Sequence, residues 1–501
     1  MFGARMRTGM SFRMLLAMWG LLLLGGRSEA RDVYVRLASG GSFSVAGEQG
    51  ITLSDGEQRS HSLGSSVSIG LRGGKVVVGK QVFALPVRLS SPGLLRFNKR
   101  SYRGDFLLTR QGFLLNVLHL EDYLCGVLPA EVGTKWPMEA LRVQAIISRT
   151  YVLRQSMNRS ARGYDVTDSV SDQVYRGAGV ETARTNQAVQ STAGEILVYG
   201  KDLAFTPFHS DSGGHTANNA DVWGKVLPYL GGVREPVDYR SPNASWTAKI
   251  SRDRVEAALA KIGGGSVAPL SEIRIAETDK GGRATKLTFV GGGGSKTFKS
   301  SLFRTAVGPN LLKSTMLTAV SEKAPRPAPP MADDGAVPEV RESDWLPDIP
   351  GPRPSEGLPR APVPTSNEPL TSKQEERLTR MTADGVFSTT ELMDMLKNPE
   401  KKKGYLYLGI QRGGGKEKSP APPPKKAVPA RSVEPPRAKA PLPSTGAAIV
   451  REGDTFIFRG SGWGHGVGLS QWGTLALAKA GWNAERILEH YYPGTDVKRY
   501  R

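Results

Sequence analysis

One stretch of the 501-residue chain contains most of its prolines, and it limits where a compact fold can form. Residues 321–445 hold 23 of the 34 prolines, in runs such as Pro422-Pro423-Pro424-Lys425-Lys426. A segment of this composition buries too little apolar surface to offset the entropy lost on ordering. We therefore predict a long disordered linker rich in proline and lysine, with folded parts on both sides of it.

A short island at 387–410 interrupts this linker. Ser388-Thr389-Thr390-Glu391 fits a capping box that would open a helix, and Tyr405-Leu406-Tyr407-Leu408 could form a strand. A segment of fewer than about 40 residues without a disulfide or a metal seldom folds alone. The island is therefore interpreted as a segment that docks onto a partner or onto the protein itself.

The folded parts differ in their patterns. Residues 31–118 contain short alternating runs separated by Gly- and Ser-rich turns, which predicts β-strands. Residues 119–250 mix helical and strand patterns, and a second α/β stretch follows from Arg252.

The fold class predicted from these patterns is α+β. A β-rich N-terminal segment would cover residues 31–84, and a mixed α/β catalytic region would cover 85–320. The linker at 321–445 would separate that region from residues 446–501, which are too few to stand alone and should complete it. We expect this C-terminal part to pack against residues 119–250 and to bring His465 near Glu131.

Residues 1–30 have the features of a secretory signal peptide. Three arginines precede an apolar run from Met14 to Leu24, and small residues, Ser28 and Ala30, end the segment. The run is shorter than the roughly 20 residues that a membrane span needs, although an uncleaved anchor is the alternative. The prediction is cleavage after Ala30 and export to the periplasm or cell envelope, with a mature form that does not span a membrane.

Charge and cysteine content restrict the partners further. The net charge is +20, which favours a polyanionic environment: nucleic acid, anionic lipid or anionic cell-wall polymer. Export argues against nucleic acid. The single cysteine, Cys125, excludes an intramolecular disulfide and a zinc cage built from several thiolates.

Glu131 is the strongest candidate for acid catalysis. It follows Pro129 in a predicted turn before a helix beginning near Pro137, and its neighbours Val132 and Trp136 are apolar. Such neighbours raise the pKa of a carboxyl, as a general acid at neutral pH requires. The alternative is an acid favoured by the helix dipole, with Arg149 further along as an ordinary surface cation.

Other polar and aromatic clusters are candidates for binding. Asp168 and Asp172 are candidate second carboxylates of an ordinary hydrolase. His209 and His215 could hold a metal, but their spacing has no fixed geometry and hydrogen bonding is favoured. The glycine-rich stretch 460–473 lacks the Lys-Ser or Lys-Thr of a phosphate loop, so it is interpreted as a tight turn that presents side chains to a sugar.

Four segments together resemble the stage II sporulation protein D and amidase-enhancer family, and they follow the family's order. They are Glu121-Asp122-Tyr123-Leu124 with Glu131; Gln144-Ala145 with Ser148-Arg149-Thr150-Tyr151; Ser210, Ser212-Gly213-Gly214, Trp223-Gly224 and Pro228-Tyr229-Leu230; and Gly462-Trp463-Gly464-His465-Gly466-Val467-Gly468. The resemblance covers residues 85–320 and 446–497. It implies a cell-wall domain whose best-known activity is lytic transglycosylation of peptidoglycan glycan strands.

The resemblance also implies roles for single residues. Glu131 stands at the catalytic acid, with Arg149 and Tyr229 at active-site positions. The expected substrate-binding residues are polar, small or aromatic: Gln173, Tyr175, Ser210, Ser212, Gly213, Trp223, Trp463, His465 and Gln471. The zinc ligands of some members have no clear counterpart, so we expect neither metal nor cofactor. The alternative function is a non-catalytic, glycan-binding enhancer of a cell-wall amidase.

Overall fold

A computed structural model describes residues 31–170, 172–235, 239, 241–318, 374, 378, 402–411 and 447–500. The predicted signal peptide and most of the predicted linker, including the capping box of its island, lie outside these residues. The strand suggested at Tyr405–Leu408 is wrong, because these residues lie within the helix Lys402–Gln411.

The strands and helices alternate unevenly along the chain. The strands are β1 (Asp32–Ser39), β2 (Ser42–Gly47), β3 (Ile51–Ser54), β4 (Ser60–Leu63), β5 (Ser66–Arg72), β6 (Lys75–Val78), β7 (Gln81–Ala84), β8 (Val87–Ser90), β9 (Leu95–Phe97), β10 (Arg100–Tyr102), β11 (Asp105–Leu108), β12 (Phe113–His119), β13 (Val166–Thr167), β14 (Glu195–Tyr199), β15 (Asp202–Leu203), β16 (Phe208–His209), β17 (Trp246–Ser251), β18 (Leu270–Thr278), β19 (Ala284–Gly291), β20 (Gly294–Lys299), β21 (Val450–Glu452), β22 (Thr455–Gly460), β23 (Leu469–Ser470) and β24 (Asp496–Arg499). The helices are α1 (Leu120–Glu131), α2 (Met138–Ser156), α3 (Arg159–Arg162), α4 (Ala183–Ser191), α5 (Asn219–Trp223), α6 (Arg252–Lys261), α7 (Ser300–Val307), α8 (Lys402–Gln411), α9 (Gln471–Lys479) and α10 (Ala484–Tyr491).

The first twelve strands form two sheets, as the alternating pattern predicts. One sheet has the order β13-β1-β12-β11-β8-β3-β4, and the other has the order β10-β9-β2-β5-β6-β7. Alternate residues such as Val33 and Val35 on β1, and Leu53 on β3, point into a shared core. Because β8 to β12 complete both sheets, the β-rich unit extends past residue 84 to His119.

Helix α1 corrects the turn that we expected around Pro129. The helix begins at a cap in which the backbone N–H of Glu121 donates to Nδ1 of His119, and it ends at Glu131. Pro129 lies in its last turn. Gly126, a poor helix former, is required because a Cβ there would come within 2.5 Å of the Tyr175 ring. Tertiary packing therefore extends the helix through two residues that usually disfavour one.

The C-terminal residues complete the fold begun before the linker. Strand β22 pairs antiparallel with β17, β24 pairs with β14, and β23 pairs in parallel with β16. Helices α9 and α10 pack against α2. The expectation that residues 447–500 pack against the region 119–250 is confirmed. Among the described residues, no helix has the length and apolarity needed to cross a membrane.

A second core lies beside this region. The helices α6 and α7 cover strands β17 to β20 and β22, with Phe289, Phe303 and Phe458 at the centre. The second α/β stretch predicted from Arg252 agrees with the helices and strands of this unit. It brings α7 and the turn after it next to the glycine-rich segment that precedes α9.

Candidate active site and its supporting network

Glu131 lies at the C-terminal end of α1, where its side chain is only half-buried. The backbone N–H of Val174 donates to its Oε1 atom at 2.6 Å. The rings of Trp136 and Trp472 stand edge to face beside it, with centroids 5.9 Å apart. Trp136 follows Glu131 by five residues, whereas Trp472 comes from the far side of the linker. The carboxyl therefore lies where the two parts of the domain meet.

The surroundings of Glu131 favour its protonated form. Desolvation by the surrounding protein raises the pKa of Glu131 to about 7, against weaker opposing effects of the Val174 N–H, the Gln471 amide and the Arg176 charge. A carboxyl at the C-terminal end of a helix also gains nothing from the helix dipole. The raised pKa keeps protonated Glu131 available near neutral pH, as a general acid requires.

Gln471 connects the C-terminal part directly to this site. Its Nε2 atom donates to the Glu131 carbonyl at 3.2 Å and lies 3.5 Å from Oε1 of Gln144. Gln144 in turn donates to Ser148 Oγ at 3.1 Å. The residue of the C-terminal part that contacts Glu131 is thus Gln471, whereas the expectation named His465.

Gln173 and Tyr175 lie beneath the site and do not line it. Both are almost fully buried. Gln173 accepts from the Tyr123 hydroxyl at 3.0 Å, and Tyr175 donates to Oδ1 of Asn116 at 2.8 Å. Because they flank Val174, they fix the backbone whose N–H reaches Glu131. Their contribution is to position that amide.

Arg149 is a buried ion-pair partner, so the interpretation as an ordinary surface cation is wrong. Its guanidinium donates in a fork to Glu121, at 2.9 Å from Nε to Oε1 and 2.6 Å from an Nη atom to Oε2. It also donates to the Glu195 carbonyl at 3.0 Å. Arg149 therefore ties the start of α1 to α2 and β14, at the opposite end of α1 from Glu131.

The side chain of Tyr229 also contacts residues other than Glu131. Its hydroxyl accepts from the backbone N–H of Phe205 at 2.9 Å, and its ring lies 4.8 Å from the ring of Tyr199. Burial raises the pKa of this hydroxyl. Neither Tyr229 nor Arg149 makes a hydrogen bond to Glu131 in the part of the chain that the structure describes.

The candidate second carboxylates also have partners of their own. Asp172 accepts from the Tyr151 hydroxyl at 3.1 Å and from the Thr167 N–H at 2.9 Å, and Asp168 faces Arg100 at 3.4 Å. These contacts make both carboxylates structural groups of the loop that precedes Val174.

The predicted small-residue turn at 210–214 joins a separate acidic network. Asp211 accepts from the hydroxyls of Tyr239 and Ser241, and Tyr239 also contacts Glu235. The network is buried beneath Ser470, which directly precedes Gln471. It holds the strand pair β16–β23 from below.

Three residues of this turn, Ser210, Ser212 and Gly213, are predicted substrate-binding residues, and the structure gives each of them a close contact within the protein. The Ser210 carbonyl accepts from the Trp472 N–H at 3.0 Å, and Ser212 Oγ accepts from the Gly214 N–H. Gly213 has a φ of +76°, and a Cβ there would come 2.6 Å from Ser461 Oγ. The turn thus sets the position of the segment that carries Gln471 and Trp472.

The remaining aromatic candidates form a second group. The His465 ring lies 5.4 Å from the ring of His209 and 4.8 Å from that of Trp223, so the expectation that His465 lies near Glu131 is wrong. His209, whose ring packs against His465, pairs in parallel with Ser470. Burial lowers the pKa of His465 to about 3, so its imidazole is neutral.

The metal hypothesis for His209 and His215 gains no support. His209 Nδ1 bonds to the Val467 carbonyl at 3.2 Å, whereas His215 Nδ1 bonds to the Thr216 carbonyl at 2.7 Å. Within the described residues, no three His, Cys, Asp or Glu side chains are grouped closely enough to hold a metal ion.

Comparison with known proteins agrees with the motifs placed above. Residues 111–199 match the model of the stage II sporulation protein (SpoIID) family, and this match includes Glu121, Glu131 and Arg149. The chain contains a SpoIID-family domain. An amidase enhancer of Bacillus subtilis is 23% identical over 377 residues, 75% of this chain and 40% of that protein. The stage II sporulation protein D of the same organism is 35% identical over 138 residues, 25% of this chain and 40% of that protein.

A further relative has no functional name. A protein of Brachyspira hyodysenteriae is 34% identical over 206 residues, 41% of this chain and 54% of that protein. The chain thus spans about half or less of the length of the curated relatives it matches.

Sequence reasoning missed four contributors to the SpoIID-family site. They are the Val174 N–H, the charge of Arg176, the Trp472 ring and the ion-pair partner Glu121. A backbone donor leaves no trace in residue type, and Glu121 lies 28 positions before Arg149, so neither was available from local patterns. Trp472 was the exception, because it stands next to Gln471 in a motif already singled out.

Proposed function

We propose that the protein is a peptidoglycan lytic transglycosylase in which Glu131 acts as a single acid and base. The observation that carries this proposal is the half-buried Glu131 carboxyl with a pKa near 7, where the two parts of the domain meet and where Trp136 and Trp472, from opposite sides of the linker, contact each other. A protonated carboxyl that solvent can still reach can donate to an oxygen of a bound ligand.

The reaction needs no second carboxylate. Glu131 donates its proton to the glycosidic oxygen between two amino sugars, and the bond from C1 to that oxygen breaks. The C6 hydroxyl of the same sugar then bonds to C1 and returns its proton to Glu131. The products are a 1,6-anhydro end and a free hydroxyl, and no water is consumed. The commitment of Asp168 and Asp172 to other partners favours this route over hydrolysis by a carboxylate pair.

The contacts of Glu131 suit both steps. The Val174 N–H donates to Oε1, so the proton resides on Oε2, the oxygen left for the ligand. Once Glu131 has given up this proton, the same N–H and the charge of Arg176 stabilise the carboxylate. Trp136 and Trp472 supply faces on which sugar rings can stack.

The alternative is a non-catalytic protein that binds glycan and stimulates a cell-wall amidase. The similarity to an amidase enhancer favours it, because that alignment extends over 75% of this chain. In either case the ligand is the glycan of the cell wall, and the protein acts after export to the cell envelope, in wall remodelling, division or a sporulation-like process.

The experiment that decides is product analysis. Purified sacculi and peptide-free glycan strands are digested with the protein, and the ends are identified by mass spectrometry. We expect 1,6-anhydro ends from the unaltered protein and none from Glu131→Gln. Glu489→Gln, a matched change of an exposed carboxyl on α10, should retain activity.

Three results would contradict the proposal. Reducing ends in place of anhydro ends would show a hydrolase. Anhydro ends from Glu131→Gln would show that another group is the acid. Stimulation of an amidase by Glu131→Gln, with no cleavage by the unaltered protein, would establish the enhancer.

A further inference from the structure

A partly exposed arginine and lysine lie side by side at the edge of the second core. Nε of Arg304, on α7, donates to the Lys313 carbonyl at 3.1 Å. The backbone N–H of Gly464 donates to the same carbonyl at 3.0 Å. The Arg304 guanidinium and the glycine-rich turn at Gly464 therefore share one carbonyl acceptor, that of Lys313.

The residues on either side of Gly464, Trp463 and His465, both have aromatic side chains. The Lys313 ammonium lies 5.2 Å from the centroid of the Trp463 ring, and the His465 ring packs 4.8 Å from Trp223. Trp223 is 40% exposed although it is large and apolar. We call this surface, formed by Arg304, Lys313, Trp463, His465 and Trp223, the cationic crevice.

The positive charge of the cationic crevice has no acidic partner among the described residues. Neither Arg304 nor Lys313 forms an ion pair there, and the hydrogen bond that the Lys313 ammonium donates goes to a neutral amide oxygen, of Asn243, at 3.3 Å. Arg283 lies fully buried behind Arg304 and donates to the carbonyls of Ser212 and His215.

The lack of an acidic partner affects the pKa of Arg304. Desolvation and the nearby charge of Arg283 lower the pKa of Arg304 to about 10, so the guanidinium stays charged at neutral pH and lacks a compensating anion. The two Nη groups donate to none of the described residues. A guanidinium with a free fork matches two oxygens of one carboxylate.

We propose that the cationic crevice binds a carboxylate group carried by a saccharide. The Nη atoms of Arg304 would hold the two carboxylate oxygens, Lys313 would add its charge, and the exposed Trp223 ring would stack on the sugar. The choice of a saccharide rests on the proposed function. It is supported by the exposed Trp223 ring and by the chain segment 463–471, which connects the crevice to the residue that contacts Glu131.

Two sources of the carboxylate are possible in a cell wall. One is the acid group of an amino sugar from which the peptide has been removed, and the other is a carboxylate of an attached peptide. The recognition chemistry is the same, so the ligands of the test must separate them.

The test measures binding with the full chain carrying Glu131→Gln, so that ligands stay intact. Three soluble glycan oligosaccharides are titrated by calorimetry: peptide-free, peptide-free with its carboxyls reduced to alcohols, and peptide-bearing. We expect the carboxylate form to bind about 10-fold to 100-fold more tightly than the reduced form, as a charge-assisted hydrogen bond implies. Equal affinity of all three ligands would overturn the proposal.

Variants of the crevice locate the effect. Arg304→Gln with Lys313→Gln should abolish the preference for the carboxylate form, and Arg304→Lys should retain part of it. Arg254→Gln removes an exposed cation from α6 and should leave the preference unchanged. A preference that survives the double substitution would place the carboxylate elsewhere. Thermal unfolding of each variant shows that the comparison is made on folded protein.

The peptide-bearing ligand identifies the source. Tight binding of the peptide-free form alone assigns the amino-sugar acid, and tight, Arg304-dependent binding of the peptide-bearing form assigns the peptide. Binding of a phosphate polymer through Arg304, with no preference for carboxylate, would contradict the proposal. Because every measurement uses a cleavage-deficient protein, failure of the lytic activity and failure of this site are separate results.

Discussion

The two ends of helix α1 each carry a glutamate, and they differ in almost every respect. Glu121, in the first turn, lies at the positive end of the helix dipole and shares a forked ion pair with the buried Arg149. Glu131, the last residue, has a single backbone donor on its carboxyl and no ion pair among the described residues. One carboxylate is compensated and holds the fold together, whereas the other is desolvated and ready to give up a proton. This difference supports a structural role for Glu121 and the proposed role in catalysis for Glu131.

The largest effect is expected when Arg149, the ion-pair partner of Glu121 at the start of α1, is replaced. Arg149→Met should lower the free energy of unfolding by about 3–5 kcal/mol, because it leaves Glu121 without its partner and removes the donor to two backbone carbonyls, of Glu195 and Val189. Urea unfolding measures the loss. In a double-mutant cycle, Arg149→Met with Glu121→Gln should cost less than the sum of the single changes; additive effects would contradict the pairing.

Neutralising the two glutamates should then have opposite effects. Glu121→Gln removes charge-assisted hydrogen bonds to Arg149, so the unfolding free energy should fall by about 2 kcal/mol at pH 8. Chemical denaturation at that pH provides the measurement. An unchanged stability would show that Arg149 is held by its carbonyl contacts alone.

Glu131→Gln should stabilise the protein at pH 8. The folded pKa, about 7, lies above the ordinary value of 4.5, so the unfolded chain loses the proton first as pH rises. Stability that Glu131 provides in its protonated form is present below pH 4.5 and is lost as pH rises through 7. The variant should therefore gain about 1–3 kcal/mol over the unaltered protein at pH 8, and almost nothing at pH 4. A gain that does not depend on pH would contradict the raised pKa.

Gln471→Ala should have the smallest effect, and it should act only at the end of α1 that carries Glu131. The Gln471 amide lowers the pKa of Glu131, so its removal should raise that pKa and move the alkaline limb of cleavage to higher pH. Stability should fall by about 1 kcal/mol for the lost hydrogen bond to the Glu131 carbonyl. Gln190→Ala, on the exposed face of α4, is the matched control and should change neither quantity.

The sequence predicted local features well and long-range contacts poorly. The strands of residues 31–118 follow from the short alternating runs between Gly- and Ser-rich turns. Glu131 was found because its apolar neighbours are adjacent in sequence. Helix α1 was missed because Gly126 and Pro129 disfavour a helix locally, and only the ring of Tyr175 explains the glycine.

The supporting network could not be predicted for a related reason. Arg149 and Glu121 meet through the packing of two helices, and Gln471 reaches Glu131 across 340 positions of sequence. The positions of Arg304 and Lys313 beside Trp463 depend on the second core. Such contacts follow from the assembled fold and have no signature in a local pattern.

The most direct test of the central claim is the titration of Glu131 itself. Carbon NMR of the glutamate side-chain carboxyls, with Glu131→Gln used for assignment, follows its ionisation from pH 3 to 9. The account predicts a midpoint near 7 for Glu131, well above the ordinary value of 4.5. A midpoint near 4.5 would mean that the carboxyl is ionised at neutral pH, and this result would contradict its role as the acid.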